Sequence, residues 1–220
     1  MAATAAPTRF HIAATGHSLN YLPQYIAERH GYFRDEGLAI SVSVPSPWDN
    51  MLEELGDGTA AAALGGIWVP SMYRSAGKQY TAFAQLSNRC PLALVARGGV
   101  VDKTVLLKSG NGASVGLFFK MLLREHGLDP AADLAGPMLH ALFEGGLGDY
   151  FVLDIVSARI LAQTNADVHV VLEMAADGDA IPWSVYYCET ETLGDEAVVD
   201  AQTRFCTALE RGMRHRGRCG

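Results

Sequence analysis

Three short turns carry the residue types that could do chemistry. Gly16-His17-Ser18 follows the alternating run RFHIAAT (9–15), and Gly65-Gly66-Ile67-Trp68 closes the small apolar run AAAALGG (60–66). Ser109-Gly110-Asn111-Gly112-Ala113-Ser114 follows KTVLLK (103–108). Each turn lies between a strand-like run and a helix-like one. Such turns offer backbone N–H groups and the positive end of a helix to an anion. His17 can take or give a proton near neutral pH. Ser18 can cap the next helix or contact a ligand. Gly65 and Gly66 let a ligand approach the backbone closely, and Trp68 can stack on a flat ligand or wall a cleft. The third turn lacks the GxGxxG spacing and the Lys-Ser/Thr ending of nucleotide-phosphate loops, so its spacing alone specifies little, and it is the candidate anion contact only in combination with the fold.

Two further positions belong with these. Asp154 ends the strand-like run DYFVLD (149–154), where it either binds a ligand amine or caps the following helix. Tyr186 and Tyr187 lie in WSVYYCET (183–190), and alternation sends them to opposite faces. At most one of them faces a ligand, and Tyr186 is the candidate. His11, His126, His140 and His169 lie within elements and read as packing or surface residues. No Ser-His-Asp order, zinc spacing or paired-carboxylate signature demands catalysis, and neither metal nor cofactor is expected. Cys90, Cys188, Cys206 and Cys219 form no CxxC pair. They read as unpaired thiols of a reducing compartment, with two distant disulfides as the alternative.

The elements that must position these residues form an α/β pattern. The 220 residues suit one large domain or two small lobes, and 49% hydrophobic against 19% charged is the balance of a globular core. After RFHIAAT comes a helix with Leu22, Tyr25 and Ile26 on one face, Pro23 in its first turn and Gly31 at its end. LAISVSV (38–44) is a strand. Trp48, Met51, Leu52 and Leu55 then share a helical face closed by Gly56. A short helix around 70–76 and the strands YTAFAQL (80–86) and PLALVAR (91–97) come next. The second half repeats the alternation and ends in a long helix with Asp195 at its start and cations at its end. This order predicts a parallel or mixed sheet with helices on its faces. Ligands of such sheets bind outside the carboxyl ends of the strands, which is where the three turns fall.

The net charge of −7, with its basic residues clustered only in RGMRHRGRCG, argues against nucleic acid as a partner. No apolar run is long enough to cross a membrane, so no direct membrane insertion is expected. The N-terminus lacks a basic region followed by an apolar one. As written the chain reads as cytoplasmic, or as periplasmic or extracellular if a signal was removed.

YLPQYIAERHGYFRDEGLAISV resembles the opening helix-strand unit of one branch of the type II periplasmic-binding-protein superfamily. That branch holds substrate-binding proteins for taurine, nitrate and aliphatic sulfonates, and the thiamine-pyrimidine precursor synthases. Its pattern is a proline-containing helix, Gly-Tyr-Phe, charged residues, Gly-Leu and a strand. Here it reads Gly31, Tyr32, Phe33, Arg34-Asp35-Glu36, Gly37, Leu38. MLEELGDGTAAAALGG, the stretch from SGNGAS through LLREHGLDP, and ALFEGGLGDYFVLD resemble later units in the same order.

The resemblance implies two α/β lobes that close on a ligand by hinge motion. It places lobe one at 1–95, lobe two at 96–182, and a return strand with a C-terminal helix at 183–220. It also implies a binding protein of the ABC-transporter type. The ligand is a small organic molecule, anionic or zwitterionic, and the implied partner is a membrane permease. The alternative is a cytosolic enzyme on the same fold, a dehydratase, decarboxylase or pyrimidine-precursor synthase, with His17 as acid or base. A synthase would need a cysteine-rich iron motif, and these cysteines are scattered. A ligand sensor is a third reading.

Overall fold

The computed structural model describes residues 6–73, 77–98 and 150–216. The chain divides into two compact units: Met1–Asn88 with Pro182–Gly220, and Arg89–Ile181. The boundary at 88/89 gives the strand β5 (Leu92–Arg97) to the second unit, whereas the sequence reading ends the first lobe at 95.

The first unit holds a five-stranded sheet of order β2-β1-β3-β8-β4. Its strands are β1 (Thr8–Ala14), β2 (Leu38–Ser43), β3 (Ala62–Gly66), β4 (Tyr80–Ser87) and β8 (Ser184–Glu189). β1 runs parallel to β2 and β3, while β8 runs antiparallel to both β3 and β4. The sheet is therefore mixed. It is covered on both faces because successive side chains alternate sides. On one face Phe10, Ile12, Leu38, Leu64 and Tyr186 pack with Phe205 and Leu209. On the other, Ala13, Ala63, Val185 and Tyr187 pack with Met51, Leu52 and Leu55.

The helices supply the two covers. α1 (Leu22–Arg29) and α2 (Tyr32–Asp35) join the long α7 (Glu196–Arg216) on the first face. α3 (Met51–Gly56) covers the second. Phe205 of α7 stacks on Phe10 at 4.8 Å and on Phe33 at 5.1 Å, which anchors the final helix to the sheet. α1 buries Pro23, Gln24 and Ala27; of the expected Leu22-Tyr25-Ile26 face, Tyr25 packs partly buried against the core, Ile26 is half-buried and Leu22 is exposed. The reason is contact with distant parts of the chain. The Tyr186 hydroxyl donates to Gln24 Oε1 at 2.5 Å inside the core. α7 also comes so close that a Cβ on Gly212 would sit 2.3 Å from the Pro23 carbonyl oxygen. Two glycines turn the chain: Gly31 (φ 75°) after α1, where the sequence ends that helix, and Gly37 (φ 70°) before β2.

In the second unit the described residues form a three-stranded antiparallel sheet of order β6-β5-β7, with β6 at Tyr150–Asp154 and β7 at Val168–Glu173. α5 (Ile155–Thr164) buries Ala158 against Ala93, Val95, Leu153 and Val168. The short α6 (Met174–Asp177) buries Met174, whose sulfur lies 3.7 Å from Cys90 Sγ. Cys90, Cys188 and Cys206 are free thiols, and burial pushes the Cys90 thiol up to about 12. Cys219 lies outside the described residues. Among the described residues no helix is long and apolar enough to cross a membrane.

Candidate functional site

β1 and β3 are parallel neighbours with Ala14 opposite Leu64. Their carboxyl ends therefore deliver residues 15–18 and 65–68 side by side. The Thr15 N–H continues the ladder to the Leu64 carbonyl at 3.0 Å, and the chain then leaves the sheet at Gly16. Ser18 caps the next turn. Its Oγ accepts from the Asn20 N–H at 3.2 Å, its carbonyl accepts from the Tyr21 N–H, and its own N–H donates to the Tyr25 hydroxyl. This starts a 3-10 turn (Leu19–Tyr21) that runs into α1. Tyr21 is pinned behind the turn by a 3.1 Å hydrogen bond with Thr15 Oγ1. Burial, partly offset by that bond, holds its phenol above the ordinary value, so it stays neutral.

The candidate residues divide clearly. His17 is exposed at the tip of the turn. Gly16 is not required by space, since a Cβ there would meet nothing within 4 Å. Gly65 is required, but by packing: its Cβ would sit 2.8 Å from Thr15 Cγ2 and 3.6 Å from both Met51 Cε and the Tyr187 hydroxyl. It is a buried residue that sets how closely the two strand ends approach, not a surface for a ligand. Gly66 is half-buried and pairs with Ser184 of β8. Trp68 opens α4 (Trp68–Tyr73) and is half-buried. Its indole Nε1 is inaccessible and has no hydrogen-bond partner among the described residues. A buried donor left unpaired costs about 1–3 kcal/mol, so this N–H has capacity for an acceptor.

Two candidates have other roles. Tyr186 is fully buried, and its hydroxyl is committed to Gln24. Burial, reinforced by nearby Tyr21 and Glu28, keeps its phenol well above the usual value. It belongs to the core because β8 lies inside a sheet covered on both sides. Asp154 of the second unit is a helix cap: Oδ1 accepts from the N–H groups of Val156 (3.1 Å) and Ser157 (2.9 Å). Ser109, Gly110, Asn111, Gly112 and Ser114 lie outside the described residues, as do His126 and His140.

The structure adds residues that the sequence pattern does not single out. Leu19 comes after the capping serine and is 67% exposed, an apolar side chain beside the polar turn. Its 3-10 setting gives no helical periodicity by which the sequence could assign its face. His11 is no simple packing residue. Its Nδ1 lies 2.7 Å from Ser41 Oγ and its Nε2 3.1 Å from Ser43 Oγ, while Ser43 donates to Glu54 at 2.6 Å. The polar alternation of Ser41 and Ser43 in β2 was the available signal. Among the described residues no group of three or more His, Cys, Asp or Glu is placed to hold a metal ion.

Comparison with known proteins bears on the family and the fold of the chain. Residues 18–132, more than half of the chain, match the family described as NMT1/THI5 like. YtlA of Bacillus subtilis (strain 168), named for a binding role, is 24% identical over 94% of this chain. The chain spans 65% of that relative's length. Among solved structures, the alkanesulfonate-binding protein SsuA of Xanthomonas axonopodis pv. citri, bound to MOPS, superposes with a TM-score of 0.65. It is 14% identical, over 96% of this chain and 74% of that one. The periplasmic aliphatic sulphonate binding protein SsuA of Escherichia coli superposes at 0.64 with 18% identity, over 96% and 76%. These likenesses show the periplasmic-binding-protein fold.

Proposed function

Because the chain belongs to the NMT1/THI5-like family and has the periplasmic-binding-protein fold, we propose that it is a substrate-binding protein of the ABC-transporter type. Its ligand is a small organic anion or zwitterion with a short apolar body. The first unit contributes the turn Gly16-His17-Ser18, the Gly66-Ile67-Trp68 turn beside it and the exposed Leu19. The relatives, named for binding and for sulfonate binding, support capture over catalysis. A membrane permease is the partner this reading implies, and the periplasmic or extracellular side of a membrane is its compartment.

The observation that carries the reading is the unpaired Trp68 Nε1–H beside a capped polar turn at the carboxyl ends of two parallel strands. Nε1 is covered in this conformation, so an anionic oxygen reaches that donor once the indole turns outward, and charge-assisted hydrogen bonds are the stronger kind. Sulfonates are the first class to test, with MOPS and taurine as probes.

The test is calorimetric titration of a set of alkanesulfonates into wild type, Trp68→Phe and Trp68→Ala. Saturable one-to-one binding is expected. Trp68→Phe keeps most of the ring and loses the donor, so affinity falls about tenfold, the worth of one hydrogen bond to a charged group. Trp68→Ala loses more. Consumption of a ligand at catalytic ratios, or affinity unchanged in both variants, overturns the reading.

A further inference from the structure

A second recess lies at the opposite edge of the same sheet. A cavity of about 860 Å³ opens at the amino ends of β1 and β3, beside the end of β8 and the first turns of α7. That volume falls within the range of small-molecule pockets, about 300–1,000 Å³. Its lining comes entirely from the first unit, so the recess is built within one compact body. Leu55, Ala60 and Ala61 line one side and Val198 and Ala201 of α7 another. The small side chains leave the space open, and they present apolar surface to it.

The polar groups of this recess are distributed unevenly. Glu189 faces Lys78 at 3.8 Å. Glu54, next to the recess, is taken up by Ser43 and by His11 at 3.4 Å. His11 is in turn held by Ser41, and both line the cavity. Arg9 lines it as well, is exposed, and has no ion-pair partner among the described residues. The lining carboxylate is thus matched by a cation, while a lining cation is left over. An apolar chamber with a free guanidinium at its edge suits an amphipathic anion. Arg is the side chain best shaped to take a carboxylate in a fork of two hydrogen bonds.

We propose that this recess is a second binding site, separate from the turn-lined site at the other strand ends, for an organic carboxylate with an apolar tail. The tail lies against Leu55, Ala61 and Val198, and the carboxylate meets Arg9 beside the His11–Ser41 pair. The site adds a function to the first unit and does not depend on the identity of the ligand bound near Trp68.

The probe is cis-parinarate, a polyene carboxylate whose fluorescence rises on leaving water. It is titrated into wild type, Arg9→Gln, Thr59→Trp and Trp68→Ala, with circular dichroism and thermal melting to establish that each variant is folded. Thr59 is an exposed lining residue, so its indole fills the chamber without disturbing the core. Wild type gives saturable one-to-one enhancement. Arg9→Gln and Thr59→Trp each raise Kd at least about tenfold, and Trp68→Ala leaves it unchanged. No saturable enhancement overturns the proposal, as does a Kd unmoved by both recess variants. Loss of binding in Trp68→Ala overturns it by placing the probe at the other site. A loss in Thr59→Trp with Arg9→Gln unaffected overturns the carboxylate assignment.

Discussion

The two ends of the first unit's sheet are assembled by different means. At the carboxyl ends of β1 and β3, chain segments leave the sheet and make polar turns, and the donor of Trp68 is left unpaired. At the amino ends His11 and Ser41 are cross-strand neighbours that satisfy one another beside an apolar recess, and Arg9 is left over at its edge. One end gets its chemistry from residues close in sequence, the other from register between residues 30 positions apart. The contrast teaches that a sheet can present two sites of different origin on one core, and that breaking the core and breaking either end are separable experiments.

The largest effect is expected where both ends share support. Phe205 stacks on Phe10 and Phe33 and touches Tyr186 edge-on, with ring centroids 4.8 Å apart. Phe205→Ala removes that centre and leaves a cavity, at a cost of about 3–5 kcal/mol. Denaturant unfolding followed by circular dichroism should show that loss, with alkanesulfonate and parinarate binding weakened together. If the variant loses one and keeps the other at full affinity, the two ends do not share this core.

A smaller effect separates the ends. Gly65→Ala forces a Cβ to within 2.8 Å of Thr15 Cγ2. Thr15 must shift, and with it the 15–18 turn. Overpacking of this kind costs about 1–3 kcal/mol. Sulfonate affinity should fall while parinarate affinity holds, because the amino ends of the strands lie away from this contact. Equal losses at both ends would break the comparison.

The same contrast separates what was legible in the sequence from what was not. The strand-turn-helix order, the capping Ser18, the Gly31 turn and the α/β class could be read because each depends on residues within a few positions of one another. Tyr186 is misplaced by pattern alone. Alternation correctly sends Tyr186 and Tyr187 to opposite faces, but cannot say that both faces are covered. α1 buries Gln24 as well as packing Tyr25 because Gln24 meets Tyr186 and Pro23 meets Gly212, contacts across most of the chain. His11 looks ordinary in sequence because its partners, Ser41, Ser43 and Glu54, are assembled only by sheet register and by the position of α3.

Alkaline pH probes the stretch between the ends. Tyr186 sits mid-sheet, and burial raises its phenol well above the ordinary value. The folded protein therefore holds this proton more tightly than the unfolded chain. The associated stability is complete below the unfolded value near 10 and is lost as pH rises toward the folded one. Cys90 of the second unit adds the same sign over a window from 9.0 to about 12. Unfolding free energy should be level from pH 7 to about 8.5 and decline above 9. Cys90→Ala should flatten the early part of the decline and Tyr186→Phe the later part. A stability that rises with pH across this range would contradict both assignments.

The smallest effect tests whether the amino end is independent of the rest. Glu54 is about one-quarter exposed and lies 3.4 Å from His11 Nε2 while accepting from Ser43. Glu54→Gln keeps its size and one carbonyl acceptor but removes the charge. Partly exposed pairs of this kind contribute roughly 0–1 kcal/mol, so the thermal midpoint should move little. Sulfonate binding near Trp68 should not move at all, since α3 meets that end through the buried apolar Met51 against Gly65 and not through Glu54. Parinarate should weaken by a few-fold at most, because the His11–Ser41 pair that borders the recess loses one of its supports while Arg9 is untouched. A midpoint shift as large as that of Gly65→Ala would mean that the polar cluster holds β1, β2 and α3 together, and that the amino end is a structural clamp before it is a ligand site.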